Sequence, residues 1–300
     1  MEAKQTFKIL VNSMPKSGTF LLCKAIDLIG FNNIARRNLL QKIFSKLGVG
    51  LPSGFGHATV AKHWLRRIYG YFSYECKTSM IPIGVVSPVN VPAKLMAHWL
   101  KTIPIGHYIP GHIPWSLELD KILCQLGYRH ILIIRDPRDV LVSFLHYVIK
   151  PEHGLSKDFK RLSKDEQLEF AITGGYAEIR GTQVLGIGQA FRSIMNWKQS
   201  ANCLIVRFES LIGEKGGGLK KKQYETIKKI CDYLEVSSDE KFISNLCESV
   251  FDSYSPTFRK GQIGAWKKEL TSDWIKTFNR THADLLEELQ YDLEGDEISL

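Results

Sequence analysis

The feature that most constrains this chain is the junction between its first apolar run and its first helix. Residues 7–12 (Phe-Lys-Ile-Leu-Val-Asn) form a short, branched run. Ser13-Met14-Pro15 breaks it, and Lys16-Ser17-Gly18-Thr19 leads into a helical pattern over residues 20–29 that stops at Gly30. A strand, a tight turn and a helix start, in that order, aim several backbone N–H groups at one point. Such a point binds an anion, most often a phosphate. Lys16 adds a point charge, Ser17 and Thr19 add hydroxyl donors, and Gly18 lets the backbone approach closely. The loop is not a Walker A sequence, whose lysine follows its second glycine; here the lysine precedes the only glycine.

Two further segments repeat the strand-then-turn pattern. Residues 130–134 (His-Ile-Leu-Ile-Ile) read as a strand buried on both faces, followed by Arg135-Asp136-Pro137-Arg138-Asp139 and a helix over 140–148. Residues 203–208 form a third strand, followed by Glu209-Ser210-Leu211. Helical patterns are expected at 91–100, 117–126, 190–200, 223–234, 239–251 and 272–290. The proline–glycine framing of residues 107–114 predicts a fixed loop or extended segment that displays His112. Strands alternating with helices argue an α/β fold, a P-loop-like parallel sheet flanked by helices on both faces, with residues 1–300 as a single domain. Ligands of such sheets bind beyond the carboxyl ends of the strands. Lys16 and Arg135 both fall there, which predicts two separated anion pockets. The Arg138–Asp139 pair reads as surface or helix-start charge, and residues 213–222, with three glycines and three lysines in rows, as a flexible solvated loop.

A net charge of +9 favours a polyanionic partner, and a multiply phosphorylated nucleotide meets that as well as nucleic acid does. The basic residues are scattered, which argues against nucleic acid. The six cysteines are widely spaced with no C-x-x-C pair, so they read as reduced core residues and no metal is expected. No apolar run has membrane-spanning length and the N-terminus lacks the apolar core of a signal peptide, so a cytoplasmic protein without a membrane partner is expected.

Five segments, in order, resemble the cytosolic-type sulfotransferases. Pro15-Lys16-Ser17-Gly18-Thr19 resembles their 5′-phosphosulfate loop, and Gly111-His112-Ile113-Pro114 the segment that carries the catalytic histidine. Arg135 and Ser143 stand at the spacing of the 3′-phosphate segment, and Arg207-Phe208-Glu209-Ser210-Leu211 resembles a family strand end. Phe258-Arg259-Lys260-Gly261, with Gly264 and Trp266-Lys267, resembles the C-terminal phosphate-binding segment. The resemblance implies 3′-phosphoadenosine 5′-phosphosulfate (PAPS) as donor, 3′-phosphoadenosine 5′-phosphate (PAP) as product, and no metal. It implies His112 as base and Lys16 at the leaving oxygen. Lys16, Ser17, Gly18, Thr19 and Phe20 would hold the 5′-phosphate, and Arg135, Ser143, Arg259, Lys260 and Gly261 the 3′-phosphate.

Departures from the family pattern carry expectations of their own. Leu21 replaces a tryptophan that stacks on adenine, so Phe251, with Phe208 at the strand end, becomes the candidate for that packing. The dimerisation signature survives only as Lys267 and Thr271, with Lys276 in place of its glutamate, which implies a monomer or weak dimer. His107 is the fallback base. Residues 51–110 and 150–190 are expected to line or cover the pocket of a small-molecule acceptor, with Trp99, Tyr108 and Trp115 among its aromatic walls. Bacterial tailoring enzymes of specialised metabolism share this look, those acting on saxitoxin-type alkaloids among them. The competing readings are a P-loop-type small-molecule kinase, which needs Gly-Lys-[Ser/Thr] and a strand-ending aspartate for magnesium, and a non-catalytic nucleotide-binding module.

Overall fold

The computed structural model describes residues 6–34, 79–251 and 259–293. Positions 51–78 of the stretch expected to line the acceptor pocket, and Phe258, lie outside these. The elements, in order, are β1 (Lys8–Ser13), α1 (Thr19–Ile29), β2 (Asn32–Asn33), β3 (Met80–Ile83), β4 (Val89–Pro92), α2 (Ala93–Lys101), β5 (His107–Gly111), α3 (Leu117–Gln125), β6 (Tyr128–Ile134) and α4 (Pro137–Val148). They continue with α5 (Ser156–Phe159), α6 (Lys164–Thr173), β7 (Gly174–Ala177), β8 (Thr182–Leu185), α7 (Ile187–Met195), β9 (Cys203–Arg207), α8 (Phe208–Leu211), α9 (Lys220–Tyr233), α10 (Glu240–Ser249), α11 (Trp266–Glu269), α12 (Ser272–Thr281) and α13 (Ala283–Glu288).

Five strands form one parallel sheet in the order β2-β5-β1-β6-β9. Successive side chains of a strand point to opposite faces, and the apolar residues divide accordingly. Ile9, Val11, Ile131, Ile133, Leu204 and Val206 join a cluster with Leu22 and Ile26 of α1, Ile227 and Ile230 of α9, and Ile243 of α10. Leu10, Leu132 and Ile134 join the cluster on the other face with Trp99 of α2, Leu123 of α3, Phe191 of α7 and Phe278 of α12. The sheet is thus covered on both faces, and the expected architecture is present. Among the described residues no helix is long and apolar enough to cross a membrane.

Several local readings are corrected. Of the two forms open to the residues before His112, loop or extended segment, the structure takes the extended one: 107–111 is β5, and its residues 108–111 pair with β1. Pro110 is tolerated because β2 pairs with β5 only at His107 and Tyr108, so no ladder bond is asked of the proline nitrogen on that side. Trp99 and Tyr108 are fully buried, in opposite clusters, and form core rather than pocket wall. The 272–290 pattern breaks into α12 and α13 at His282, which has left helical geometry (φ −128°). The excursion at 150–186 holds α5, α6 and a hairpin of β7 with β8. Cys124 is exposed, unlike the buried Cys23 and Cys231.

Candidate active site

The carboxyl ends of β1, β5, β6 and β9 lie on one edge of the sheet, and each runs into a residue singled out above: Lys16, His112, Arg135 and Phe208. Beyond β1 the chain turns sharply, Ser17 N–H donating to the Met14 carbonyl at 3.1 Å. Lys16 adopts φ +73° and Gly18 φ +98°. At Gly18 a Cβ would fall 2.5 Å from Phe208 Cδ2, so glycine is required by space as well as by backbone. Gly18 is also the N-cap of α1 and provides no capping side chain. The first N–H groups of the helix therefore face outward beside Lys16. Phe20, in the first turn of α1, is about half exposed at 48%.

The Lys16 ammonium lies 4.4 Å from the centre of the Tyr147 ring. Burial, followed by the neighbouring charges of Lys150, Arg135 and Arg259, lowers its pKa to about 8. Three further cations thus act on the same point, which is the electrostatic character of a polyanion site.

His112 follows β5 directly. Its Nδ1 lies 2.8 Å from the Ser13 carbonyl and 3.1 Å from Ser13 Oγ, which in turn lies 2.6 Å from Thr19 Oγ1. A carbonyl only accepts, so Nδ1 carries the proton and Nε2 carries the lone pair of the neutral ring. Asn12 clamps the two strand ends together. Its Nδ2 donates to the Ile113 carbonyl at 2.9 Å, and its Oδ1 accepts from Ile113 N–H at 2.9 Å and Ser13 N–H at 3.0 Å. Trp197 Nε1 donates to the same carbonyl at 2.9 Å. His107 is at the opposite, amino end of β5, its Nδ1 facing the Ile105 carbonyl at 3.2 Å, so the fallback base is remote from this edge.

Arg135 leaves β6 and stacks over the Phe208 ring, 4.3 Å from its centre. Its Nη2 donates to the Gln262 carbonyl at 2.7 Å and pairs with Asp139 at 3.3 Å. Asp139 also accepts from the Gly264 and Trp266 N–H groups at 2.9 and 3.1 Å, so it fastens the C-terminal segment to α4. Arg138 is fully buried, held by Asp136 at 2.9 Å and packed 4.1 Å over Trp266. Neither residue is a surface charge. Ser143 is buried on α4, and Arg259 and Lys260 both reach Glu269. The stretch at 213–222 is no free loop: Lys220–Lys222 open α9, and before them Gly216 is buried in a docked turn, its carbonyl accepting from Ile263 N–H at 3.1 Å, where a Cβ would meet the Gly261 carbonyl at 2.7 Å. Phe251 lies at the rim of the α9–α10 cluster, its ring centre 6.0 Å from Lys215 Nζ.

Buried groups without partners test whether a phosphorylated ligand suits this edge. The Nε atoms of Arg135 and Arg259 and the Ser17 hydroxyl are buried with no hydrogen-bond partner among the described residues. Buried donors are otherwise almost always satisfied, so two guanidinium N–H groups and a hydroxyl beside an open helix start fit a ligand rich in anionic oxygens. Among the described residues no group of His, Cys, Asp and Glu could hold a metal ion.

Fold and donor set together describe an α/β protein with a cluster of anion-binding groups at the carboxyl edge of its sheet. The family model for the sulfotransferase domain matches residues 7–290, and the chain belongs to that family. A mouse sulfotransferase solved with PAP superposes with a TM-score of 0.54 at 18% identity, over 94% of this chain and 85% of that one. Retinol dehydratase solved with retinol and PAP gives 0.53 at 15% identity, over 95% and 83%. The same enzyme with androsterone and PAP gives 0.52 at 15%, over 94% and 81%. These likenesses show a shared fold.

Proposed function

We propose that this sulfotransferase moves the sulfuryl group of PAPS to a hydroxyl or amine of a small-molecule acceptor, with His112 as base. The observation that carries this reading is the tautomer of His112. Its Nδ1 lies 2.8 Å from the Ser13 carbonyl, which can only accept, so Nε2 carries the lone pair that a general base uses. PAP in the related structures supports the choice of donor.

When bound, the donor supplies a sulfuryl group activated by its bond to a phosphate oxygen. His112 Nε2 takes the acceptor proton as the acceptor atom bonds to sulfur. The bond from sulfur to the phosphate oxygen breaks, and Lys16 stabilises the charge left on that oxygen. The amides of Ser17, Gly18, Thr19 and Phe20 cradle the 5′-phosphate. Arg135, Ser143, Arg259, Lys260 and the Gly261 amide hold the 3′-phosphate, arginine suiting it by its fork of donors. Phe208 and Phe251 serve the adenine side, Phe208 from beneath Gly18 and Arg135. Residues 150–190 border the acceptor, and the protein works in the cytoplasm as a monomer or weak dimer.

Calorimetric titration with PAP, ATP and ADP without magnesium tests the reading. PAP is expected to bind in strong preference to both, and Arg135→Lys to weaken it about tenfold or more, since a bidentate anion contact is lost while the charge is kept. Equal or tighter binding of ATP would overturn the donor assignment. Transfer of labelled sulfate to a panel of small hydroxyl and amine acceptors, lost in H112A while PAP still binds, is the expected second result.

A further inference from the structure

The two C-terminal cations already hold an anion of the chain's own. Arg259 Nη1 donates to both Glu269 oxygens at 2.7 and 2.9 Å, Lys260 Nζ donates at 2.8 Å, and His146 Nε2 lies 2.7 Å from Oε2. Glu269 is the last residue of the one-turn helix α11, whose start Asp139 pins to α4. That anchoring delivers the carboxylate to His146, which lies one turn along α4 from Ser143, on the same face. The Glu269 side chain is 18% exposed, a rim position rather than a buried fixture. The Arg259 Nε, meanwhile, has no partner among the described residues. A guanidinium, an ammonium and a hydroxyl-bearing helix face, the assembly a phosphate needs, are gathered around a carboxylate.

We propose that Glu269 is an internal stand-in for the 3′-phosphate of the donor, displaced when nucleotide binds, and that it thereby sets how tightly the site takes a 3′-phosphorylated nucleotide. The inference rests on the assignment of Arg259 and Lys260 to the 3′-phosphate. Like charges cannot share one set of donors without a large penalty. The tethered carboxylate competes at high effective concentration, because its reach is fixed by the chain. Only a nucleotide that brings a 3′-phosphate has to displace it. One with a 5′-phosphate alone leaves Glu269 seated.

The test is calorimetric titration of wild type, E269Q and E269D with PAP and with adenosine 5′-monophosphate. Glutamine keeps the shape and can accept from Arg259, but it removes the competing charge. E269Q is expected to bind PAP about tenfold tighter or more, and the monophosphate within about twofold of wild type, the difference of one anionic contact. E269D keeps the charge and is expected to stay near wild type, which ties the effect to charge rather than to packing. Thermal melts of all three check that the fold survives. Unchanged or weaker PAP binding by E269Q, or equal tightening toward both nucleotides, overturns the inference while leaving the donor assignment in place. A wild-type protein indifferent to PAP overturns the donor assignment, and this inference with it.

Discussion

Asn12→Ala should uncouple the two strand ends that carry the site. Asn12 is fully buried and its amide serves three backbone groups: Ile113 C=O, Ile113 N–H and Ser13 N–H. After truncation the Ile113 carbonyl keeps one donor, Trp197 Nε1 at 2.9 Å, but both N–H groups lose their acceptor. Each buried polar group left unpaired costs about 1–3 kcal/mol, so two orphaned donors predict a loss of about 2–5 kcal/mol after some relaxation. Equilibrium urea unfolding measures it. Asn12→Asp separates hydrogen bonding from volume. The aspartate can still accept from both N–H groups, but its second oxygen faces the Ile113 carbonyl and needs a proton to bond it. The folded variant therefore holds that proton more tightly than the unfolded chain does. Its stability relative to wild type should fall as pH rises from near 4, the ordinary carboxyl value, through the raised folded pKa. A loss below about 1 kcal/mol for N12A, or an N12D penalty that is flat between pH 4 and 8, would refute the clamp, since 1 kcal/mol is the least a single orphaned donor costs.

Two other outcomes follow from the loop. Lys16 has its pKa lowered to about 8, so above that pH the free protein loses this charge. PAP binding at about pH 9 should then draw in a proton, seen as a dependence of the heat on buffer ionisation, and K16R, which stays charged, should show none from this site. A proton uptake that persists unchanged in K16R would contradict this. Gly18→Ala forces a Cβ into φ +98° and to within 2.5 Å of Phe208, which together cost about 2–4 kcal/mol by thermal or urea unfolding. Adding F208L should recover the steric part and leave the backbone part, so strict additivity of the two variants would refute the contact.

What the sequence made legible is what local chemistry writes in one place. The turn at 14–18 is marked by proline and glycine, β6 is a continuous apolar run, and a helix follows Arg135, though it starts at Pro137 rather than at the expected 140, with Asp136 Oδ1 accepting Arg138 N–H at 2.8 Å. Each of these was readable from neighbouring residues. Asn12 was not, although a polar residue at the end of an otherwise apolar strand is a signal that its partners lie in another segment. On α4 the residues at 143, 146 and 147 share one helical face, and Lys150 follows just beyond its end. Of these only Ser143 was assigned a role, while His146 reaches Glu269, Tyr147 covers Lys16, and Lys150 lowers the Lys16 pKa. The periodicity was present; its significance depended on which loop the face would meet. For β5 the choice between loop and extended segment stayed open because proline argues against a strand, and only the early end of β2 explains why Pro110 is harmless.

The acidic residues among these cations show how position decides what a charge does. Asp139 has no exposed side chain, and its oxygens are used by Arg135 and by two backbone N–H groups, so moving it would strand donors on two elements. Glu209 is as deeply fixed. It accepts from Asp136 N–H and the Tyr291 hydroxyl, both at 2.9 Å, and burial raises its pKa to about 7. These two carboxylates fasten the ends of β6 and β9 to the C-terminal segment, and a ligand anion could not replace them without opening the fold. Glu269 differs in each respect. It is partly exposed and its partners are the side chains of Arg259, Lys260 and His146; burial acts to raise its pKa, but the hydrogen bonds from Lys260, Arg259 and His146 hold it down to about 2. A carboxylate held at the rim by side chains alone is the one an incoming phosphate can displace, because the phosphate satisfies the same donors that the carboxylate releases. The buried acids thus build the site, and the rim acid occupies it.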